Sequence, residues 1–126
     1  MLSTSTFDVP KKIWEAAKSE AKAIMIERAK ARGTIAYSDL VSKIRSLPMQ
    51  AHDQRLFHLL GQISSEEDAA RRGMLTVLVV HKHGDMQPGP GFFELAEHLG
   101  RDTNDILRCW IDELNFVYGV WARGRK

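Results

Sequence analysis

Between Gly73 and His81 the chain runs Met74-Leu75-Thr76-Val77-Leu78-Val79-Val80, apolar on both alternating faces with Thr76 as the one interruption. A segment with no polar face has to be covered on both sides, so this run belongs at the centre of whatever the chain folds into, and its composition predicts a strand. It falls far short of the roughly 20 apolar residues of a membrane helix, and no membrane association is expected. With 126 residues, 44% of them hydrophobic, one domain covering 1–126 is expected, burying about two thirds of the unfolded chain's surface.

The strand needs neighbours, and the flanking sequence offers mostly helices. Asp8-Val9-Pro10 is a helix start, and apolar positions Ile13, Trp14, Ala17, Ala21, Ile24 and Met25 recur at three- and four-residue spacing, predicting a helix from about Val9 to Arg32. Thr34–Tyr37 is a short β-prone link. Ser38 then caps a brief helix with Leu40, Val41 and Ile44, which Leu47-Pro48 ends. A third helix begins near Ala51–Asp53 and carries Leu56, Phe57, Leu59, Leu60 and Ile63 inward, with Gln54, Arg55, His58 and Gln62 outward. The Ser-x-x-Glu spacing in Ser64-Ser65-Glu66-Glu67 is that of a capping box, so a further helical turn or two is expected there, stopping at Arg71-Arg72-Gly73. Past the loop 81–91, the segment Gly91–Gly100 is helical in character, and Asp102 or Thr103 caps a last helix bearing Ile106, Leu107, Trp110, Ile111, Leu114, Val117, Tyr118 and Trp121. Residues 1–8 read as a frayed leader and 122–126 as a flexible basic tail. The expected fold is α+β, mostly helical and winged-helix-like, with a small sheet of two or three strands and a long C-terminal helix.

Charge is distributed unevenly: residues 1–33 hold seven Lys/Arg against four Asp/Glu, whereas the whole chain is only +2. The sole cysteine, Cys109, excludes an internal disulfide and a cysteine-rich zinc module, and fits a reducing, cytoplasmic home as buried filler. Pro88-Gly89-Pro90-Gly91 has neither nucleotide-binding fingerprint and reads as a rigid turn docking Phe92 and Phe93 into the core. Trp14, Trp110 and Trp121 read as packing between the first and last helices.

The element order is that of a winged helix-turn-helix, whose third helix would read bases through Gln54, Arg55, His58 and Gln62, the Gln and Arg heads matching adenine and guanine edges, with Lys43, Arg45 and Lys82 on phosphates. The stretch Arg32-Gly33-Thr34-Ile35-Ala36-Tyr37-Ser38-Asp39-Leu40-Val41, followed by Leu59-Leu60-Gly61-Gln62-Ile63 and an apolar strand, resembles the winged-helix region of alkylguanine-DNA alkyltransferase-like proteins over about residues 30–90. The resemblance implies a DNA-binding mode. It does not imply alkyl transfer, because the family's catalytic Pro-Cys-His-Arg run has no counterpart at Val80-His81-Lys82-His83.

Two other classes compete with a non-catalytic nucleic-acid module. One is a protein-interaction, accessory or immunity-type protein, or a homodimer, using Phe92, Phe93 and the C-terminal helix. The other is a small metal-dependent hydrolase: His81-Lys82-His83-Gly84-Asp85 resembles the His-x-His-x-Asp-His element of metallo-β-lactamase-type hydrolases, with Met86 in place of the last His. The expectation is no cofactor, no catalytic residue and no bound metal.

Overall fold

The computed structural model describes residues 5–6, 9–82 and 87–122. It is an α+β fold dominated by five helices: α1 (Lys11–Lys30), α2 (Tyr37–Lys43), α3 (Gln54–Ala69), α4 (Pro90–His98) and α5 (Ile106–Ala122). The strands are two residues each. β1 (Ser5–Thr6) pairs antiparallel with β2 (Val9–Pro10), so part of the expected leader is tied to the start of α1, while β3 (Ile35–Ala36) and β4 (Val79–Val80) pair in parallel.

The run 74–80 is central, with every residue buried, but most of it is not a strand. Leu75–Leu78 forms a 3-10 turn, and only Val79 and Val80 pair with β3. The reason is hydrogen-bond supply. Helices α1, α3 and α5 surround the run and have no free backbone groups along their sides, so a buried strand there would leave its N–H and C=O groups unpaired. The 3-10 turn closes Val77 N–H onto Met74 O at 3.0 Å. Side chains satisfy much of the rest: Met74 N–H donates to Glu113 Oε2 (2.8 Å), Thr76 N–H to Ser64 Oγ (3.1 Å), and Trp110 Nε1 to Val77 O (3.1 Å).

Space for this packing comes from α1. Its buried stripe Trp14, Ala17, Ala21, Met25 and Ala29 is mostly alanine, so neighbouring elements approach closely. Ser64 explains why the expected capping box caps nothing: it faces the core and bonds Thr76 at 2.5 Å, and α3 continues through it as one helix. Glu67, fully buried, takes Arg72 (2.7 Å) and Lys22 (2.8 Å) as ion-pair partners. Arg101 is shared by Asp68 (2.6 Å) and Glu113 (2.9 Å), which pins the α4–α5 link to the end of α3. The last helix starts later than expected, because Asp105 is the residue whose carboxylate receives Arg108 N–H (3.1 Å).

Three helices end in the same turn. After α1, α3 and α4 the second N–H past the cap returns to a carbonyl five residues earlier (Gly33 to Arg28, Arg72 to Glu67, Arg101 to Ala96, each 2.9 Å), the Schellman arrangement. That turn puts one residue in the left-handed region: Gly100 (φ 96°) after α4, but Arg32 (φ 55°) and Arg71 (φ 65°) after α1 and α3. The glycines expected to stop these helices stand one and two residues later, and the two arginines adopt a conformation costing about 1 kcal/mol each. Gly73 (φ 86°) is required in its own right: a Cβ there would lie 2.7 Å from the Phe116 ring and 3.1 Å from Glu113 Oε2.

Gly73→Ala is expected to lower stability by more than about 1 kcal/mol in urea unfolding. Glu67 yields a second expectation. Burial pushes its carboxyl up, but hydrogen bonds and charge from Arg72 and Lys22 outweigh this and hold it below the ordinary carboxylate value. The stability it contributes is therefore complete above about pH 4.3 and is lost as pH falls through the lower folded value. Glu67→Gln should cost about 3 kcal/mol at pH 7 and flatten that acid-side loss, read by chemical unfolding at a series of pH values.

Candidate functional site

The polar face of α3 has to be built from its start. Asp53 is the N-cap, its carboxylate accepting Arg55 N–H at 2.8 Å. The same carboxylate then binds the Arg55 guanidinium (Nη2 to Oδ2, 2.7 Å; Nε to both oxygens, 3.1 Å), and Nη2 also reaches Pro48 O (3.2 Å). Arg55 thus neutralises its own cap. Hydrogen bonding from Arg55 holds the Asp53 carboxyl below its usual range.

Two turns on, α1 lies against the same face. Gln62 Oε1 accepts from Trp14 Nε1 (2.8 Å) and Lys18 Nζ (3.3 Å), and its Nε2 stands 3.3 Å from His58 Nε2. The His58 ring is 5.9 Å from that of Trp14, so this tryptophan packs on α3. Of the residues expected to read bases, His58 and Gln62 are brought together beside α1, with Gln62 half-buried and His58, like Gln54, exposed. Lys82 pairs with Asp39 at 3.6 Å. Lys43, the last residue of α2, and Arg45 just beyond it are exposed, and the backbone N–H groups of Arg45 and Ser46 meet Glu20 Oε1 (2.7 and 3.2 Å).

Where α1 and α3 diverge, a groove of about 980 Å³ opens between them and the start of α4. Trp14, Leu60, Phe92 and Leu95 supply apolar lining. At one end Tyr37, Phe57, His81 and Gly89 converge: the Tyr37 ring is 6.1 Å from Phe57 and 5.2 Å from His81, and its hydroxyl accepts Gly89 N–H at 2.9 Å. Burial pushes the Tyr37 hydroxyl up, more than the Gly89 hydrogen bond pulls it down, so it keeps its proton at neutral pH and remains a donor. About 13 Å along α3 from Phe57 stands Glu66, paired with Lys18 at 2.8 Å. The charged lining residues Lys11, Glu15, Lys18 and Glu66 balance in sign.

Sequence reasoning missed most of this. Phe57, expected to point inward, is 45% exposed on the groove, because α3 is covered by α1 and the central run on adjacent faces and the Phe57 side lies beyond both. Phe92 is buried in the lining, whereas Phe93 turns to the other side of α4, beside Ile106 and Pro88. The available signal was Gly61. It interrupts a helix interior, has no positive φ, and a Cβ there would meet nothing within 4 Å; Gly91 at the start of α4 is equally open, and both line the groove.

Of the candidate metal set, His81 borders this groove, while His83 and Asp85 lie outside the described residues. Among the described residues no three His, Cys, Asp or Glu side chains form a metal-binding group. Cys109 is buried, and burial pushes its thiol up, away from nucleophilic character, consistent with a packing role. No helix among the described residues is long and apolar enough to cross a membrane. Compared with protein-family models, curated proteins and solved structures, the chain matches none.

Gly61→Ala is expected to raise stability by about 0.5–1 kcal/mol, the ordinary helix-interior difference, because the fold makes no use of the missing side chain. Urea unfolding of the two proteins checks this.

Proposed function

We propose that this chain is a non-catalytic interaction module that takes an amphipathic segment of a partner protein into the groove between α1, α3 and α4. The observation behind this is the groove itself, about 980 Å³ and mostly apolar, in a chain of only 126 residues. Its volume is at the upper end for small-molecule clefts, and its open side with the half-exposed Phe57 suits a chain segment laid along it. Balanced charge at the rim favours a ligand carrying both signs over a polyanion, whose binding draws on a net excess of Lys and Arg. The open glycines at 61 and 91 allow a ligand's backbone to come close, as small residues do between packed helices.

The nucleic-acid reading on the α2–α3 corner has less support. Arg55 and Lys82 are each paired with an aspartate, Gln62 is bonded by α1 and the His58 ring lies near Trp14, so Gln54, Lys43 and Arg45 are the remaining exposed members of that set. The large apolar residues on α5 that remain exposed, Ile106, Leu107, Ile111 and Phe116, are the part of the C-terminal helix open to a second partner or a second copy.

Selection from a display library of amphipathic helical peptides tests the groove reading. Binders are expected to shift the backbone amide resonances of residues 57–66 and 89–95 in the labelled protein, and to lose at least tenfold in affinity against Gly61→Trp, whose side chain fills the groove. Binders that shift α5 instead, or that ignore Gly61→Trp, reject it.

A further inference from the structure

The two arginines held in the left-handed turn are unexplained by folding. α4 uses glycine at the same position of the same turn, and the chain has glycine within two residues of each arginine. Both arginines are exposed, and among the described residues neither meets a carboxylate. The acids nearby are already committed: Glu27 to Lys30 (3.7 Å), Glu67 to Arg72 and Lys22, Asp68 and Glu113 to Arg101. Lys22 and Arg72 share the single charge of Glu67 while Asp68 and Glu113 share that of Arg101, so the two clusters cancel and the net positive charge at this end is that of Arg32 and Arg71.

The surface is also shaped. Tyr118 and Trp121 stand one turn apart on α5; the Arg32 guanidinium lies 5.9 Å from the Tyr118 ring centre, and that of Arg72 5.9 Å from the Trp121 ring centre. Tyr118 is itself anchored by donating to Gly33 O at 2.9 Å, which joins the end of α1 to α5. The Arg72 edge is taken up by Glu67 (2.7 and 2.9 Å), but the Arg32 guanidinium over the Tyr118 ring keeps its edge N–H groups for a planar or tetrahedral oxyanion, the geometry in which arginine binds phosphate in two-pronged fashion. The ring also limits its rotation, so less ordering is lost when an anion arrives.

We infer that the joined ends of α1, α3 and α5, with Arg32 and Arg71 as the free charges and Arg72 beside them, form a contact surface for the phosphodiester backbone of a nucleic acid. This surface lies apart from the groove and independently of it. Phosphate contacts of this kind position a duplex without reading its bases.

The test uses the full chain and a fluorescently labelled mixed-sequence DNA duplex of roughly 20 base pairs, about two helical turns, in anisotropy titrations between roughly 50 and 200 mM salt. Binding should weaken as salt rises. The double variant Arg32→Gly, Arg71→Gly should reduce the slope of log affinity against log salt by about 2, with Arg55→Ala leaving it unchanged. Because glycine relieves the left-handed strain at both positions, the double variant should melt at or above the wild-type temperature, so its weaker binding cannot come from unfolding. Absence of binding at the lowest salt overturns the inference, as does a slope that the double variant leaves intact or that Arg55→Ala alone reduces. Vesicles of phosphatidylserine serve as the second probe. Binding to them without binding to the duplex would assign the surface to a lipid headgroup and overturn the nucleic-acid partner.

Discussion

Burying residues 74–80 removes an apolar segment from water, and it also removes that segment's backbone N–H and C=O groups. The first is favourable at roughly 25 cal/mol per Å² of apolar surface; the second is costly unless every group finds a partner. Only two residues find one in a sheet. The remainder depend on Ser64 from α3 and on Glu113 and Trp110 from α5, so the helices hold the core by hydrogen bonding as well as by contact. Glu113 in turn needs Arg101, and Arg101 needs Asp68. This chain of dependence ties α3, the central run, the α4–α5 link and α5 into one unit, and it explains why Gly73, wedged against Glu113 and Phe116, has no room for a side chain.

The same packing decides what stays available at the surface. Pressing α1 onto α3 satisfies Gln62 and Lys18 against Trp14 and Glu66, which commits Gln62 to the helix pair. Where the two helices part, apolar and aromatic side chains are left lining a groove in place of an α3 face free along its length. At the opposite ends of α1 and α3 the nearby acids are paired with lysines and arginines, and among the described residues the exposed arginines at the left-handed positions meet no carboxylate, Arg32 lying against the Tyr118 ring. The molecule thus separates a neutral, apolar-lined concavity from an end that presents two exposed arginines.

Much of the architecture was legible in the residues. The alanine-rich stripe of α1, the Leu40 helix after the 34–37 link, the continuous apolar face of residues 56–63 and the turn Pro88–Gly91 opening α4 each follow from local spacing and are present. The errors share a cause. The 74–80 run has strand composition, yet composition does not say whether a neighbouring strand exists. Ser64 and Glu67 have the spacing of a capping box, yet that spacing also places both on the buried face of an uninterrupted helix. Phe57 is apolar and was counted inward, yet the third neighbour that would cover it is not there. Arg55 has the spacing of an outward, available residue, yet its guanidinium binds the cap residue two positions before it, a contact that sequence spacing permits but does not select.

The residues by themselves determined which segments are helical, that residues 74–80 lie innermost, and that residues 1–33 carry the basic excess, because helix propensity, periodicity and charge are local properties. Only the tertiary structure decided which polar groups are spent inside the fold and which face outward. Glu67, Glu113, Gln62 and Arg55 are indistinguishable from surface residues until their partners, up to 48 positions away, arrive within hydrogen-bond distance. A cavity and an unpaired arginine are properties of the spaces and charges left over once those pairings are made, and local sequence does not encode what is left over.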